Sequence, residues 1–162
     1  MDRIDKITTQ WNQERPDLDV TAMGLIGRFS RITKCLSQEM GKTFAKHGLN
    51  SARFDVLATL RRSGPPYALS PGDLLATMMV TSGTMTNRID QLEKTGLVER
   101  IGNPEDGRSV TISLTKKGFG IIDATVTEHV ATQTRLTASL SEKETVALKE
   151  LLSKFLQDLE ER

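Results

Sequence analysis

Apolar residues recur every three or four positions over most of the chain, which is the spacing of amphipathic helices. The pattern begins with Ile4, Ile7 and Trp11. It is interrupted by residues 15–19 (RPDLD), because proline does not fit a helix interior. An aspartate in that segment can cap the next helix. We therefore predict a short amino-terminal helix separated by a break from the rest of the protein.

A long amphipathic helix is predicted next, ending near Gly48. Its apolar face consists of Leu25, Ile26, Phe29, Ile32, Leu36, Met40 and Phe44. Asn50 can cap a third helix, which carries Val56 and Leu57 on its apolar side. Residues 63–66 (SGPP) end that helix, because glycine and proline are strong helix breakers.

Residues 70–96 predict two short helices joined by a tight turn, which is a helix-turn-helix. The first helix begins at residues 70–73 (SPGD), where a serine hydroxyl caps and proline occupies the first helical position. The turn at residues 81–83 (TSG) leads into the second helix, which Gly96 closes. The residues expected to face inward from the second helix are Met85, Ile89 and Leu92.

After this second helix the composition becomes that of β-strands, at residues 97–101 (LVERI) and 109–114 (SVTISL). Residues 102–108 (GNPEDGR) between them are rich in turn formers, so the pattern predicts a β-hairpin with a long tip. Two further helices are expected to start at residues 115–118 (TKKG) and 141–144 (SEKE). The last has a wide apolar face of Leu148, Leu151, Leu152, Phe155, Leu156 and Leu159.

The second helix of the helix-turn-helix carries groups that can contact DNA in a major groove. Its candidate DNA-binding residues are Ser82, Thr84, Thr86, Asn87 and Arg88. At the hairpin tip, Arg108 is placed to enter a narrow minor groove, and Asp106 to orient it through a charge-assisted hydrogen bond. Serine-rich helix starts and Asp-Gly-Arg turns are common singly, so the prediction depends on their combination.

The order of elements predicts a mainly α fold with a small β-hairpin wing (α+β), a winged helix-turn-helix flanked by long terminal helices. We place the amino-terminal helices in residues 1–48, the DNA-binding domain in 49–114 and the carboxy-terminal helices in 115–162. The last helix has more apolar surface than so small a domain can cover. We therefore expect both terminal segments to form a homodimer.

The composition restricts the class of protein but does not indicate a binding partner. The 162 residues are 37% apolar and 27% charged, as in a folded and soluble chain, and the net charge of +1 creates no strong overall field. The single cysteine, Cys35, argues against a secreted disulfide protein. With no signal region and no apolar run of about 18 residues, we expect a cytoplasmic protein without membrane contact.

Several segments resemble the signature of the MarR family of transcription regulators. They are residues 81–93 (TSGTMTNRIDQLE), 96–100 (GLVER), 106–109 (DGRS) and 114–118 (LTKKG). The resemblance implies a triangular homodimer, joined by helices from both chain ends. It further implies that the dimer binds a pseudopalindromic operator in double-stranded DNA.

The chain also resembles a branch of that family with an extra amino-terminal helix that responds to urate. The resemblance implies an effector site for a small anionic aromatic compound at Trp11, Asp55, Arg88 and Arg100. A planar anion can stack on Trp11 and accept hydrogen bonds from an arginine fork. Salicylate or another aromatic or tricarboxylic acid is an alternative effector. The same residues have a plainer interpretation, with Asp55 and Arg88 forming a buried ion pair and Trp11 an interface anchor.

We therefore expect a repressor that an effector releases from DNA, and not an enzyme. The alternative is a constitutive or redox-responsive regulator without a small-molecule effector. Cys35 is expected near an apolar helix face as a small hydrophobic residue, which disfavours redox sensing. His47 and His129 lack zinc-ligand spacing, so we predict no metal and no cofactor.

Overall fold

The structure is a computed structural model that describes residues 1–78, 82–102 and 110–161, apart from the side chain of Ser82. Its helices are α1 (Arg3–Glu14), α2 (Thr21–Lys46), α3 (Ser51–Arg62), α4 (Pro71–Met78), α5 (Ser82–Lys94), α6 (Lys116–Thr137) and α7 (Glu142–Glu160). Its strands are β1 (Ala68–Leu69), β2 (Val98–Gly102) and β3 (Val110–Leu114). The predicted fold class, mainly α with a small antiparallel sheet, is confirmed.

The predicted capping residues begin most of the helices. Asn50 accepts a hydrogen bond from the Arg53 amide at 2.9 Å, and Thr115 accepts one from the Gly118 amide at 3.0 Å. Ser141 forms the predicted capping box at the start of α7. These side chains satisfy backbone donors that have no partner within the helix, which fixes where each helix starts.

The break before α2 uses its two aspartates differently. Asp19 accepts a hydrogen bond from the Thr21 amide at 2.9 Å, but the N-cap position of α2 is occupied by Val20, which makes no side-chain capping bond, so the predicted aspartate cap is wrong in its position. Asp17 instead binds the Arg15 guanidinium through two hydrogen bonds of 2.8 and 2.6 Å. Of the aspartates in the segment, Asp19 is therefore the one at the start of α2.

The sheet has a strand that the sequence pattern did not predict. Its order is β1-β3-β2, all antiparallel, with Val98 opposite Leu114 in the predicted hairpin. On the other side of β3, Ala68 lies opposite Ser113 and Leu69 opposite Ile112. A two-residue strand is too short to show a period of two, so β1 could be found only from its pairing.

The hydrophobic core lies in the domain formed by α3, α4, α5 and the sheet, and α6 packs on it. Its central members are Val56, Leu57, Leu60, Leu74, Met85, Ile89, Leu92, Ile112 and Ile122. The three α5 residues predicted to face inward are all among them, which confirms the orientation of that helix. The core therefore holds the helix-turn-helix against the sheet.

The first turn of α6 is fixed to the connection between α5 and β2. The Thr115 hydroxyl donates to the Gly96 carbonyl at 2.7 Å, and the Lys117 ammonium donates to the Thr95 carbonyl at 2.9 Å. A Cβ atom on Gly118 would lie 1.9 Å from the Leu97 carbonyl oxygen, so only glycine allows this approach. The start of α6 is thus fixed to the connection between the helix-turn-helix and the sheet.

A second contact joins α3 to α6. The Arg61 guanidinium lies over the rings of Tyr67 and Phe119, at 5.1 and 4.6 Å from their centroids. It also binds the Asp123 carboxylate at 2.7 Å. Because three side chains hold one planar cation, Arg61 fixes α3 against α6.

The helices at both ends leave apolar surface without a partner in the chain. Neither α1 nor α7 has a buried residue, and Leu25, Ile26 and Ile32 of α2 are about half exposed. One contact, the stacked Phe29 and Phe155 rings at 5.6 Å, joins α2 to α7. None of the described helices is long and apolar enough to cross a membrane. The domain boundaries at residues 48 and 114 stay predictions.

Candidate nucleic-acid interface and effector site

Helix α5 presents a polar side to solvent. Met85 and Ile89 are almost completely buried, whereas Thr84, Thr86 and Asn87 are exposed between them. Arg88 is partly buried beside this face. The apolar residues recur at three-to-four spacing and place the intervening hydroxyl and amide groups outward. This is the arrangement that DNA contact requires, and the individual contacts stay predictions.

Three of the predicted DNA-binding side chains lie outside the described part of the protein. They are the side chain of Ser82 and the residues Asp106 and Arg108 of the hairpin tip. The strands that carry the tip are described and pair from Val98 to Gly102. The paired strands β2 and β3 are therefore the evidence for the wing. The roles of its tip residues stay predictions.

A chain of hydrogen bonds at the surface of the domain supports Asn87. The Arg53 guanidinium donates to the Gln91 carbonyl oxygen at 3.4 Å, and the Gln91 amide donates to the Asn87 carbonyl oxygen at 3.3 Å. The Asn87 amide group thus keeps its N–H donors for other partners. The four-residue spacing of Asn87 and Gln91 could have indicated their hydrogen bond from sequence. The contact with Arg53 could not be found in this way, because Arg53 lies on another helix.

Arg100, predicted as an effector ligand, is held by carboxylates of α5. Its guanidinium binds Asp90 at 2.5 Å and also binds Glu93. These partners raise the pKa of Arg100, since each favours the charged form. In this arrangement the Arg100 side chain fixes β2 to α5, and sequence reasoning missed both partners.

Asp55 and Arg88, two other predicted effector residues, lie near each other but form no ion pair in the described structure. Asp55 is exposed at the surface, but neighbouring atoms exclude part of the water around its carboxyl group and raise its pKa, while Arg88, Arg62 and His129 oppose that effect. No side-chain hydrogen bond of Asp55 or Arg88 occurs among the described residues. The plainer interpretation, a buried Asp55–Arg88 ion pair, is therefore not what the described residues form.

Trp11, the fourth predicted effector residue, is 43% exposed on α1. That helix is held to α2 by Arg28, which binds Asp2 at 2.9 Å and also binds Asp5. Within the described residues, no ring contact or hydrogen bond connects the Trp11 side chain to Asp55, Arg88 or Arg100. Among the four predicted effector residues, the described structure shows an interaction only between Asp55 and Arg88, and their common role in one site stays a prediction.

An aromatic cluster adjoins Asp55. The His129 ring lies 5.1 Å from the Phe44 ring and 4.9 Å from the Phe54 ring, measured between centroids. Burial lowers the pKa of His129, because the charged imidazole would lose hydration, although Asp55 acts in the opposite direction. The packing between α2, α3 and α6 thus favours the neutral form of His129.

The structure places Cys35, the residue considered for redox sensing, on α2. Cys35 is exposed, not buried, so its description as a small hydrophobic core residue is wrong for the single chain. Among residues 1–78, 82–102 and 110–161, no three histidine, cysteine or acidic side chains gather as a metal site.

The comparisons with known proteins agree with this architecture. The MarR family profile matches residues 47–109. PecS, a transcriptional regulator of Dickeya dadantii, is 41% identical over 156 residues, 96% of this chain and 94% of that protein. MhqR, a transcriptional regulator of Bacillus subtilis, is 31% identical, covering 77% of this chain and 84% of its own.

A solved structure is similar over nearly the whole fold. It is a mutant MarR of Escherichia coli complexed with operator DNA, which superimposes with a TM-score of 0.71 at 26% identity. The match covers 90% of this chain and 97% of that one. The relatives are named as transcriptional regulators and not as enzymes. With 41% identity to PecS over almost all of both proteins, this chain belongs to the MarR family of transcription regulators.

Proposed function

We propose that this protein is a homodimeric repressor that binds a pseudopalindromic operator and is released from it by a small anionic aromatic effector. The observation that carries the DNA-binding part is the orientation of α5, whose apolar side is buried and whose polar side faces solvent. The family relative from Escherichia coli in complex with operator DNA has the same fold, which supports the assignment.

The dimer is supported by the apolar surface at both chain ends. Leu25, Phe29, Leu151 and Leu152 line a groove of about 360 Å³ between α2 and α7. Leu151 is 66% exposed in the isolated chain, a costly position for leucine unless a partner covers it. A second copy offers the same surface, and a two-fold dimer would present two α5 helices to successive major grooves, about 34 Å apart.

The effector part rests on the resemblance to the urate-responsive branch and on the surroundings of Asp55. Two arginines, Arg88 and Arg62, act on the Asp55 carboxyl group without binding it directly. An anionic ligand could bind an arginine there, and its N–H groups could donate to Asp55. Urate has both features, and salicylate offers the anion with a hydroxyl donor.

The test is a titration of the purified protein into fluorescently labelled duplexes from the DNA flanking its gene. We expect binding in the nanomolar range or tighter, weakening steeply as salt rises because Lys and Arg contacts release counterions. Urate at millimolar concentration is expected to raise the apparent Kd. Binding that is insensitive to urate and salicylate would contradict the effector part, and absence of salt-sensitive duplex binding would contradict the whole proposal.

A further inference from the structure

The hydrogen-bond chain that ends at Asn87 has only one possible direction. It runs from Arg53 to Gln91 and from Gln91 to Asn87. An arginine side chain carries donors and no acceptor, so the Gln91 atom that faces Arg53 must be the amide oxygen. The Gln91 N–H2 group then faces Asn87, and the Asn87 atom that meets it must be the carbonyl oxygen. The cation at the start of the chain therefore orients both amides.

The start of this chain is held at a fixed position on α3. The Arg53 backbone amide donates to the Asn50 side chain at 2.9 Å, in the first turn of the helix. The Arg53 Nε atom is buried and has no partner among the described residues, whereas a terminal nitrogen of the same guanidinium reaches Gln91 at 3.4 Å. A planar guanidinium with one side enclosed has few orientations. Arg53 is therefore a fixed donor beside α5.

The other two members of the chain lie on the exposed side of α5. Asn87 and Gln91 are one helical turn apart, and both are exposed. Met85 and Ile89 are buried, which fixes the rotation of the helix about its axis. Among the described residues, no hydrogen bond uses the Asn87 N–H2 group. This group is therefore the part of Asn87 that stays available at the surface.

Bases differ in the major groove by whether they present an acceptor or an amine at the same place. Guanine has the O6 acceptor where adenine has the N6 amine, and thymine has the O4 acceptor where cytosine has the N4 amine. A freely rotating asparagine can pair with either kind, because its amide has a donor end and an acceptor end. An asparagine whose oxygen faces another side chain presents only donors to the groove. It would pair with guanine O6 or thymine O4 and leave an amine without a partner.

We propose that Arg53 and Gln91 are positioning residues that make Asn87 select an acceptor base, guanine or thymine, over adenine or cytosine. The inference rests on the proposed operator binding and adds a rule of sequence selection to it. Neither Arg53 nor Gln91 has to contact a base for this effect. They act by making the reversed Asn87 amide unfavourable, since its N–H2 group would then face the N–H2 group of Gln91 without a hydrogen bond.

Contact with DNA would strengthen this orientation. In the free protein, water can replace a hydrogen bond at the exposed Asn87 side chain, so the orientation is only weakly enforced. Binding in a groove removes that water, and an unmatched donor or acceptor then has no alternative partner. We therefore expect the effect of Arg53 and Gln91 to appear in base preference and not in the stability of the free protein.

The variant Gln91→Glu is designed to reverse the rule. A carboxylate has nearly the shape of the Gln91 amide, but it only accepts hydrogen bonds. It would accept from Arg53 and also from Asn87, which must turn its N–H2 group inward and its oxygen toward the DNA. The Asn87 oxygen accepts from the amines of adenine and cytosine. The preference at the base pair that Asn87 contacts should therefore invert.

The test measures Kd values by competition in fluorescence anisotropy, for operator duplexes in which one base pair of a half-site at a time is changed from G·C to A·T or the reverse. The pair contacted by Asn87 is the one whose discrimination Asn87→Ala removes. At that pair we expect a preference of about tenfold for the wild type, an inverted preference for Gln91→Glu and nearly equal affinities for Arg53→Met. Arg53→Lys, which still donates, should retain the wild-type preference.

Two controls separate the rule from other effects. Lys94→Gln lowers the charge of α5 by one unit, as Gln91→Glu does, on an exposed residue outside the chain of hydrogen bonds. It is expected to weaken binding to all duplexes without changing the preference. Replacing guanine by inosine removes the minor-groove amine, so the two base pairs compared then differ only in the major groove.

An unchanged preference in Gln91→Glu or in Arg53→Met would overturn the proposal, as would a half-site with no base pair whose discrimination depends on Asn87. Each of these outcomes still includes salt-sensitive operator binding, so the proposed DNA-binding function would stand. Operator binding that ignores urate and salicylate but follows the predicted base preferences would do the reverse, contradicting the effector response and supporting the rule. Absence of duplex binding by the wild type would contradict both.

Discussion

At the scale of single residues, the structure depends on a few close approaches that no periodicity reveals. Gly118 lies against the Leu97 carbonyl, and Arg61 is enclosed by two rings and a carboxylate. Arg100 is bound by carboxylates of another element. Sequence spacing shows which residues share a face of one helix, but it does not show which residue of a neighbouring element they meet.

The Gly118→Ala variant tests the contact that anchors α6. The added methyl would lie 1.9 Å from a backbone oxygen, so the helix start must move away from Leu97. We expect the free energy of unfolding to fall by about 3 kcal/mol or more, the upper part of the overpacking range. The matched control is Gly120→Ala, where the methyl meets nothing within 4 Å and should stabilise α6 by about 0.5–1 kcal/mol. Equal effects of the two substitutions in chemical denaturation would contradict the contact.

The Asp55→Asn variant tests the crowding of that carboxyl group. Because the pKa in the folded protein is raised above its ordinary value of 3.8, the ionised group destabilises the folded state at pH values above the folded pKa. The destabilisation disappears as the pH falls below 3.8, where the carboxyl is protonated in both states. We therefore expect Asp55→Asn to be more stable than the wild type at pH 7 and equally stable near pH 3. Urea denaturation at equal protein concentration measures this, and a less stable variant at pH 7 would show that the arginines dominate instead.

At the scale of elements, most of the fold could be predicted because the sequence signals of a helix lie within the helix itself and at its ends. Apolar residues at three-to-four spacing predicted the helices, and capping residues such as Asn50 and Ser141 predicted where they begin. What could not be predicted depends on pairing between distant segments. The strand β1 exists because Ala68 and Leu69 lie beside β3, and the support of Asn87 depends on Arg53 from α3.

The same limit applied to the candidate site. The polar residues of α5 were identified because they share one helix face. Trp11, Asp55, Arg88 and Arg100 were grouped by resemblance, and within the described residues an interaction is seen only between Asp55 and Arg88. Arg62, which acts electrostatically on the Asp55 carboxyl group, was missed because a polar residue at a helix end has no distinctive spacing.

The Asn87→Ala variant tests α5 as the DNA-contacting helix. Asn87 is exposed and its amide donors are not used by Gln91, so removing them should cost operator binding about 1–3 kcal/mol, the range for a base contact. The melting temperature should stay close to that of the wild type, since the side chain is exposed. The matched control, Gln133→Ala on the exposed surface of α6, should leave affinity unchanged. Equal affinities for all three proteins in fluorescence anisotropy would contradict the assignment.

At the scale of the whole molecule, the single chain leaves apolar surface exposed on its terminal helices. Its core holds the helix-turn-helix to the sheet and to the start of α6, while α1 and α7 contribute no buried residue. The sequence indicated this imbalance, because the apolar face of the last helix exceeded what its own domain could cover. The arrangement of two copies in a dimer depends on the surfaces of both chains. It could not be predicted from the apolar pattern of a single sequence.

The Leu151→Glu variant tests the dimer. A charge in the centre of the exposed apolar face of α7 would have to be buried without a partner if a second copy covers it. We expect dissociation to monomers at micromolar concentration in sedimentation velocity, together with a large loss of operator affinity. Ser153→Glu places the same charge on the opposite side of α7 and should remain dimeric. A dimeric Leu151→Glu protein would exclude this face as the interface.

The most direct measurement of the central claim is a hydroxyl-radical footprint of the protein on its operator, with the stoichiometry determined by sedimentation on the same duplex. We predict two protomers per duplex and two protected regions related by symmetry, with centres about one helical turn, 10–10.5 base pairs, apart or a whole multiple of that distance. A single protected region bound by one protomer, or no protection at any salt concentration, would contradict the account.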